Sequence, residues 1–234
     1  MPAGTLFVVA TPIGNLEDIT LRALRILRAV DLVAAEDTRR TRTLLQAYGV
    51  NAPLVSYFAH NQARRGPELL RRLQGGARIA LVTDAGTPGV SDPGFQLVRL
   101  CRDAGVPVVP IPGASALVTA LSAAGVPADR FVFEGFLPVK AGRRLTRLRE
   151  LGTLGRPVVV YESPHRLLAT LEAVEAVFGE AEVVVAREVT KRFEEFRRGT
   201  AAELRAALAA EGVRGEVTLI INPRQPLAPP PDAD

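Results

Sequence analysis

A glycine-rich segment at 83–94 carries two acids and no lysine or arginine. Asp84 comes directly after an apolar run at 78–82, and Asp92 follows later in the same segment. A carboxylate accepts hydrogen bonds from ammonium or hydroxyl groups, and glycines let the backbone approach a ligand closely. The segment therefore favours a cationic or zwitterionic ligand over a phosphate, although aspartates are also common in ordinary turns.

Three further loop segments follow apolar runs and precede helical patterns, namely 11–15 (TPIGN), 36–39 (EDTR) and 112–115 (PGAS). After the first apolar run there is no G-x-G-x-x-G, the spacing that holds a dinucleotide, and no G-x-x-x-x-G-K-[ST] triphosphate loop occurs in the chain. Ligands of parallel sheets bind beyond the carboxyl ends of the strands. The four segments therefore predict one binding edge.

The elements that must position these loops alternate between strand and helix. In the first half we predict strands at 6–10, 31–35, 54–57, 78–82 and 106–111, and helices at 21–30, 41–47, 62–73, 94–104 and 114–123. This alternation is typical of a parallel sheet covered by helices on both faces.

In the second half we predict strands at 131–136, 157–161, 181–187, 194–199 and 216–221, and helices at 143–151, 164–177 and 201–210. A short connection between two of these strands predicts an antiparallel pair, and hence a mixed sheet. We therefore expect an α/β protein with two domains, 1–116 and 117–224, followed by a proline-rich disordered tail at 225–234.

Composition excludes several classes of protein. The chain has 234 residues, of which 47% are hydrophobic, so it is too apolar for a disordered protein. One cysteine and two histidines exclude an internal disulfide and a Cys/His zinc cluster, and we expect no metal. The sequence has no apolar stretch of about 20 residues and no basic signal-peptide start, so we expect a cytoplasmic protein without a membrane partner.

The positive charge lies in the first half. Residues 1–116 carry 13 basic and 9 acidic side chains, whereas residues 117–234 carry 16 of each. Nearly all of the basic residues are arginines, which suit bidentate phosphate recognition, although a codon bias would give the same excess.

Taken together, these motifs resemble one family. They are TPIGN (11–15), EDTR (36–39), HN (60–61), TDAGTPGVSDPG (83–94), IPGASAL (111–117), YESPHR (161–166), REVTKRFEEF (187–196) and GEVTLII (215–221). The set resembles the 16S rRNA (cytidine-2′-O)-methyltransferase family of the tetrapyrrole methylase superfamily. The resemblance covers about residues 4–222, nearly the whole chain.

The resemblance implies a two-domain class III methyltransferase fold, a parallel sheet in the first domain and a mixed sheet in the second. It implies that S-adenosyl-L-methionine donates a methyl group to cytidine 1402 of 16S rRNA in the small ribosomal subunit. It further implies a homodimer with a cleft between its two α/β domains. The donor contacts carried over from the family's motifs are Pro12, Asp84, Gly86, Thr87, Ser115, Ala116, Tyr161, Glu216, Val217 and Thr218.

A ribose hydroxyl is a poor nucleophile until it loses its proton, so a general base would accelerate the transfer. The sequence does not single out one base. The strongest candidates are Glu36, His60, Glu188 and Lys191, and Asp37 and Glu162 also come into question.

For RNA binding we select arginines beside the ligand edge and after His60. They are Arg39, Arg40, Arg42, Arg64 and Arg65. For a second cluster, at 143–149, we favour a solvated helix face over phosphate contacts, although both fit the sequence. Phe58 and Ala59 stand where family members commonly have a second histidine, which puts a two-histidine role in doubt.

Two alternatives remain. A tetrapyrrole methylase of the precorrin or uroporphyrinogen type would use the same fold and donor. A non-catalytic module could bind the nucleoside without turnover. The arginine clusters and the EDTR and YESPHR motifs favour RNA over a macrocycle.

Overall fold

The apolar segments form two five-stranded sheets, one in each of two units that divide between Ser115 and Ala116. The computed structural model describes residues 4–223, so the tail predicted at 225–234 lies outside the described residues. The α/β class, with one parallel and one mixed sheet, is confirmed.

The first unit contains a short 3-10 turn, Leu16–Asp18, besides its strands and helices. Its strands β1 to β5 are Thr5–Val9, Leu32–Ala35, Leu54–Ser56, Arg78–Val82 and Val108–Ile111. Its helices α1 to α4 are Leu21–Ala29, Thr38–Ala47, Gln62–Gln74 and Phe95–Asp103.

The strand order of the first sheet is β3-β2-β4-β1-β5, and every pairing is parallel. The chain leaves β1 toward β2 on one side of the sheet, whereas it leaves β4 toward β5 on the other side. The order therefore reverses between β1 and β4, where ligands of such sheets bind. Loops 10–15 and 83–94 leave the carboxyl ends of these two strands.

Apolar side chains cover both faces of the first sheet. All four residues of β2 are buried, as expected for a central strand between two helical layers. One core cluster includes Leu6, Tyr57 and Leu97, and another includes Val9, Leu27 and Val33.

In the second unit, strands β6 to β10 are Val132–Phe136, Val158–Glu162, Glu182–Arg187, Glu195–Thr200 and Val217–Asn222. Helices α5 to α8 are Ala116–Ala123, Ala141–Gly152, Pro164–Phe178 and Ala201–Glu211.

The second sheet has the order β6-β7-β10-β8-β9. Strands β6 and β7 are parallel, and the other neighbours are antiparallel, including the predicted β8–β9 pair. The core packs Leu148, Leu171 and Leu204 against Val160 and Leu219 of the sheet. Strand β6 lies at one edge, and its last residue, Phe136, is 56% exposed.

Helix α8 begins with a reciprocal capping box. The Thr200 hydroxyl accepts from the Glu203 N–H at 3.2 Å, and the Glu203 carboxylate accepts from the Thr200 N–H at 2.8 Å. These two bonds satisfy donors that the first turn of a helix leaves free.

We expect Thr200→Ala to lower the free energy of unfolding by about 1 kcal/mol, the usual cost of losing such a cap. Thr146→Ala in α6 is the matched control, because its exposed hydroxyl bonds only the preceding turn, at Gly142. Urea denaturation measures both; equal stability of the two variants would contradict the capping role.

Candidate functional site

The loops after β1, β4 and β5 are joined at the carboxyl edge of the first sheet. The Thr11 N–H donates to the Gly86 carbonyl at 2.9 Å, and the Gly86 N–H returns a bond at 3.0 Å. Gly86 has a φ of 79°, which favours glycine at this point. The Thr87 hydroxyl donates to the Ala114 carbonyl at 3.4 Å. The predicted donor contacts Pro12, Gly86, Thr87 and Ser115 therefore lie on connected or adjacent loop segments.

Carboxylates join the loops after β2 and β4. The Asp84 N–H donates to Glu36 Oε2 at 3.3 Å, and Asp84 Oδ1 accepts from the Asp37 N–H at 3.1 Å. These bonds place Glu36 beside Asp84, although the two are far apart in the sequence. The edge beyond β4 is consequently rich in negative charge.

Burial changes the acidity of this carboxyl cluster, which consists of Glu36, Asp84 and Asp92. Burial raises the pKa of Glu36. The hydrogen bond from the Asp84 N–H lowers this pKa, but the neighbouring Asp84 charge raises it further, and the net change is upward. Burial, followed by the negative charge of Glu36, raises the pKa of Asp92 to about 6. Both groups therefore exchange protons closer to neutral pH than exposed carboxylates do.

Asp92 was absent from the predicted site, because an aspartate in a turn has an ordinary explanation. Its only signal was its presence in the same acidic, glycine-rich loop as Asp84. The carboxylates that surround Asp92 depend on the conformation of this loop, which local sequence patterns do not predict.

Helix α2 brings two arginines close to the acidic edge. Helix α2 places the Arg40 guanidinium 3.3 Å from Asp84 Oδ2, although the Arg40 side chain remains 70% exposed. Arg39 pairs with Asp37 at 2.8 Å. The reason is that α2 begins at Thr38, earlier than predicted, with Asp37 as its N-cap. The Arg39 side chain and then its N–H hold the pKa of Asp37 far below its usual range, so Asp37 is a poor general base.

The five arginines selected for RNA have different surroundings. Arg42 and Arg64 are exposed, and neither has an ion pair within residues 4–223. Arg65 is half-buried and pairs with Glu68 at 2.7 Å, so it is less available than its neighbour. Arg39 and Arg40, although paired, are also exposed.

His60 is exposed in the turn before α3, and its ring packs edge-on against Phe58. The adjacent Asn61 holds this turn, because it accepts from the Phe58 N–H at 2.9 Å and donates to the Ser56 carbonyl at 3.1 Å. The HN pair thus consists of one structural amide and one accessible imidazole.

Glu188 and Lys191 lie together in the connection from β8 to β9. Lys191 Nζ lies 2.9 Å from Glu188 Oε1 and 3.1 Å from Glu216 Oε2. Burial lowers the pKa of Lys191, but the two carboxylates outweigh it and raise the pKa overall. The Glu216 N–H and the Lys191 ammonium hold the pKa of Glu188 below its usual range. Both groups stay charged at neutral pH, and neither is poised to accept a proton.

The predicted donor contacts of the second unit are brought together around Tyr161. Its hydroxyl accepts from the Leu117 N–H at 3.1 Å, at the start of α5 next to Ala116. Its strand neighbour across the β7–β10 pairing is Thr218, which is buried, as is Val217. The Glu216 side chain is 74% exposed.

Glu162 has a structural environment. Its carboxylate is buried and accepts from the Ser163 N–H and the Thr170 hydroxyl, both at 2.7 Å. Arg166 Nε lies 3.3 Å away. A carboxylate fixed in this way holds the start of α7 and is a poor candidate for proton transfer.

Within residues 4–223, no group of three His, Cys, Asp or Glu side chains is placed to hold a metal ion. Among the described helices none is long and apolar enough to cross a membrane.

We expect Asp92→Asn to raise the free energy of unfolding by about 2 kcal/mol at pH 7.5. The folded-state pKa of about 6 lies above the ordinary 3.8, so the ionised carboxylate destabilises the fold at this pH. The penalty declines as the pH falls through 6 and vanishes below about 4. Urea denaturation at pH 7.5 and 5 should show the gain shrinking.

Asp103→Asn is the control, because that carboxylate is 67% exposed beside Arg99. A gain from Asp92→Asn that is independent of pH, or equal to that of the control, would contradict a poorly solvated charge at Asp92.

Comparison with known proteins identifies the family. The model of the Tetrapyrrole (Corrin/Porphyrin) Methylases family matches residues 5–205. The ribosomal RNA small subunit methyltransferase I of Pseudomonas aeruginosa is 52% identical over 224 residues, covering 94% of this chain and 79% of that protein. The protein of the same name from Escherichia coli O157:H7 is 52% identical over 222 residues, covering 94% and 78%.

A solved structure supports the fold. Uroporphyrin-III C-methyl transferase from Thermus thermophilus, complexed with S-adenosylhomocysteine, superimposes with a TM-score of 0.64 at 20% identity. The match covers 94% of this chain and 97% of that chain. From the family match and the high identity of its relatives, the chain belongs to the tetrapyrrole methylase family and, within it, to the ribosomal RNA small subunit methyltransferase I proteins.

Proposed function

We propose that this chain uses S-adenosyl-L-methionine to methylate the 2′-hydroxyl of a cytidine ribose in 16S rRNA of the small ribosomal subunit. The observation that carries the proposal is the carboxyl cluster beyond β4, in a chain about half identical to ribosomal RNA methyltransferases. A cation neutralises such a cluster, whereas a phosphate would be repelled.

When bound, the donor supplies an electrophilic methyl group on a positively charged sulfur. The residues of the first unit fit that charge, because Glu36 and Asp92 are half-buried acids whose ionised forms a cation would stabilise. The backbone of the loops at Thr11 and Gly86 is held by paired hydrogen bonds, so the edge is fixed before the ligand arrives.

Donor contacts are proposed in each unit separately. In the first unit they are Pro12, Asp84, Gly86, Thr87 and Ser115, and in the second they are Ala116, Tyr161, Glu216, Val217 and Thr218.

Two of the four strongest general-base candidates remain suitable for accepting the ribose proton. Lys191 and Glu188 are held in their charged forms by each other and by Glu216. Glu36 has a raised pKa, which improves a carboxylate as a base, and His60 is an exposed imidazole. We assign the role to one of these two residues.

RNA contacts are proposed for Arg42 and Arg64, which are exposed and have no ion pair among the described residues, and for Arg39. Arg40 and Arg65 could also attract RNA phosphates, but they form ion pairs with Asp84 and Glu68, respectively. Contacts with phosphates give affinity without reading sequence. The family resemblance further supports a homodimer that acts in the cytoplasm.

Labelled S-adenosyl-L-methionine, offered with unmethylated small subunits, naked 16S rRNA or a uroporphyrinogen, tests the proposal. We expect label in the RNA, on the ribose of a cytidine after nucleoside analysis. Label in the macrocycle alone would support the tetrapyrrole alternative. Donor binding without label in any acceptor would support the non-catalytic module.

Two variants separate the remaining bases in the same assay. If Glu36 accepts the proton, Glu36→Gln should lower kcat by about 10²-fold or more. If His60 accepts it, His60→Gln should have that effect instead. If neither variant lowers kcat, both assignments are wrong.

A further inference from the structure

Arg144 in α6 is a buried guanidinium without a carboxylate partner. The residue is 7% exposed, and its Nε has no hydrogen-bond partner in the described part of the chain. Its Nη1 makes one long bond, 3.5 Å, to the Val139 carbonyl. No ion pair to Arg144 occurs within residues 4–223. Burial of an unpaired charge is costly, so this arrangement calls for an anion.

The next arginine on this helix shows the contrast. Arg147 is bound by Glu134 at 2.7 Å and by Glu150 at 2.8 Å, so the nearby acids are already engaged. The prediction that the cluster at 143–149 forms a solvated face is therefore wrong for Arg144. Its side chain packs inward, toward the segment that precedes the helix.

The start of α6 is also unusual for a helix end. Lys140 is the N-cap residue but provides no side-chain cap, and the first turn contains no acid. It contains Arg143 and Arg144 instead, so two positive residues lie in the turn that carries free N–H groups and the positive end of the helix dipole. This combination is unfavourable in isolation and becomes favourable when an anion binds.

The segment before α6 is held firmly. Arg166 Nη2 donates to the Leu137 carbonyl at 2.7 Å, while Arg166 itself is held by the buried Glu162. Arg166 and Arg144 therefore both donate hydrogen bonds to carbonyls of residues 137–139, and Lys140 is the next residue in the chain. Phe136 and Val139, which are 56% and 75% exposed, add apolar surface in the same stretch.

We propose that Arg144, Lys140 and the uncapped first turn of α6 bind a backbone phosphate of the RNA substrate. The inference rests on the proposed function for the identity of the anion. The exposed apolar surface of Phe136 and Val139 suits the sugar or base of the same nucleotide, because bases stack on aromatic side chains. Arg143, also exposed in the first turn, adds positive charge at the site.

The other explanation for Arg144 is purely structural, namely support of the Val139 carbonyl. The two explanations differ in stability. Replacement of a buried, unpaired charge by an apolar side chain of similar length should leave the fold as stable or more stable. Loss of a structural arginine should destabilise it.

The test compares Arg144→Met and Lys140→Gln with Arg22→Met as a matched control. Arg22 is an exposed arginine in the first turn of α1, a helix that Thr20 caps. Fluorescence anisotropy measures the Kd for a generic 12-nucleotide single-stranded RNA at several salt concentrations. Methyl transfer to unmethylated small subunits gives KM and kcat, calorimetry gives the donor Kd, and urea denaturation gives stability.

We expect Arg144→Met to raise the RNA Kd and the subunit KM by about 10-fold, with the kcat and donor Kd unchanged. The slope of log K against log salt should become shallower by about 0.7, the value for one lost phosphate contact on a single strand. Lys140→Gln should act in the same direction, the control should change nothing, and Arg144→Met should remain as stable as the wild type.

Wild-type RNA binding in both variants would overturn the site. Unfolding or clear destabilisation of Arg144→Met, with normal binding by Lys140→Gln, would assign Arg144 the structural role and also overturn it. If the wild type methylates no RNA but Arg144→Met still weakens RNA binding, the proposed function fails and the phosphate site stands.

Discussion

At the carboxyl edge of the parallel sheet, Glu36, Asp84 and Asp92 share a confined space in which burial raises the pKa of Glu36 and Asp92. Such groups are poorly solvated when ionised, so the surroundings must stabilise their charge. The N–H groups of Asp37 and Asp84 do part of this, and Arg40 approaches from one side. The remaining negative charge suits a ligand with a positive centre. The paired backbone bonds between the loops after β1 and β4 keep this edge in place.

In the second unit the poorly solvated charge is positive. Buried Glu162 fixes Arg166, and Arg166 fixes the carbonyls of the segment before α6. Arg144 is buried nearby without a carboxylate among the described residues, at a helix start that lacks a cap. The first unit thus has more acids than arginines at one edge, whereas one helix of the second unit holds a buried arginine with no ion pair among the described residues. A methyltransferase acting on RNA needs both, since its donor is cationic and its acceptor is a polyanion.

The order and type of the described strands and helices could be predicted from the sequence, because apolar periodicity and turn residues are local signals. The mixed second sheet followed from the short connection between β8 and β9. The carboxyl edge was also predictable, since loops after parallel strands meet there. The pairing of Arg40 with Asp84 was not, because it depends on where α2 begins and on a contact between distant residues. The burial of Arg144 was missed for a similar reason: a run of arginines does not reveal which one turns inward.

In this account, the half-buried acids beyond β4 accept the positive charge of the donor. Calorimetric titration of S-adenosyl-L-methionine at pH 6, in two buffers with different ionisation enthalpies, counts the protons exchanged on binding. A nearby cation lowers the pKa of Asp92 and Glu36, so binding should release about half a proton or more per donor. Asp92→Asn should reduce this release. Identical heats in the two buffers would mean that no proton leaves on binding, which would contradict the account.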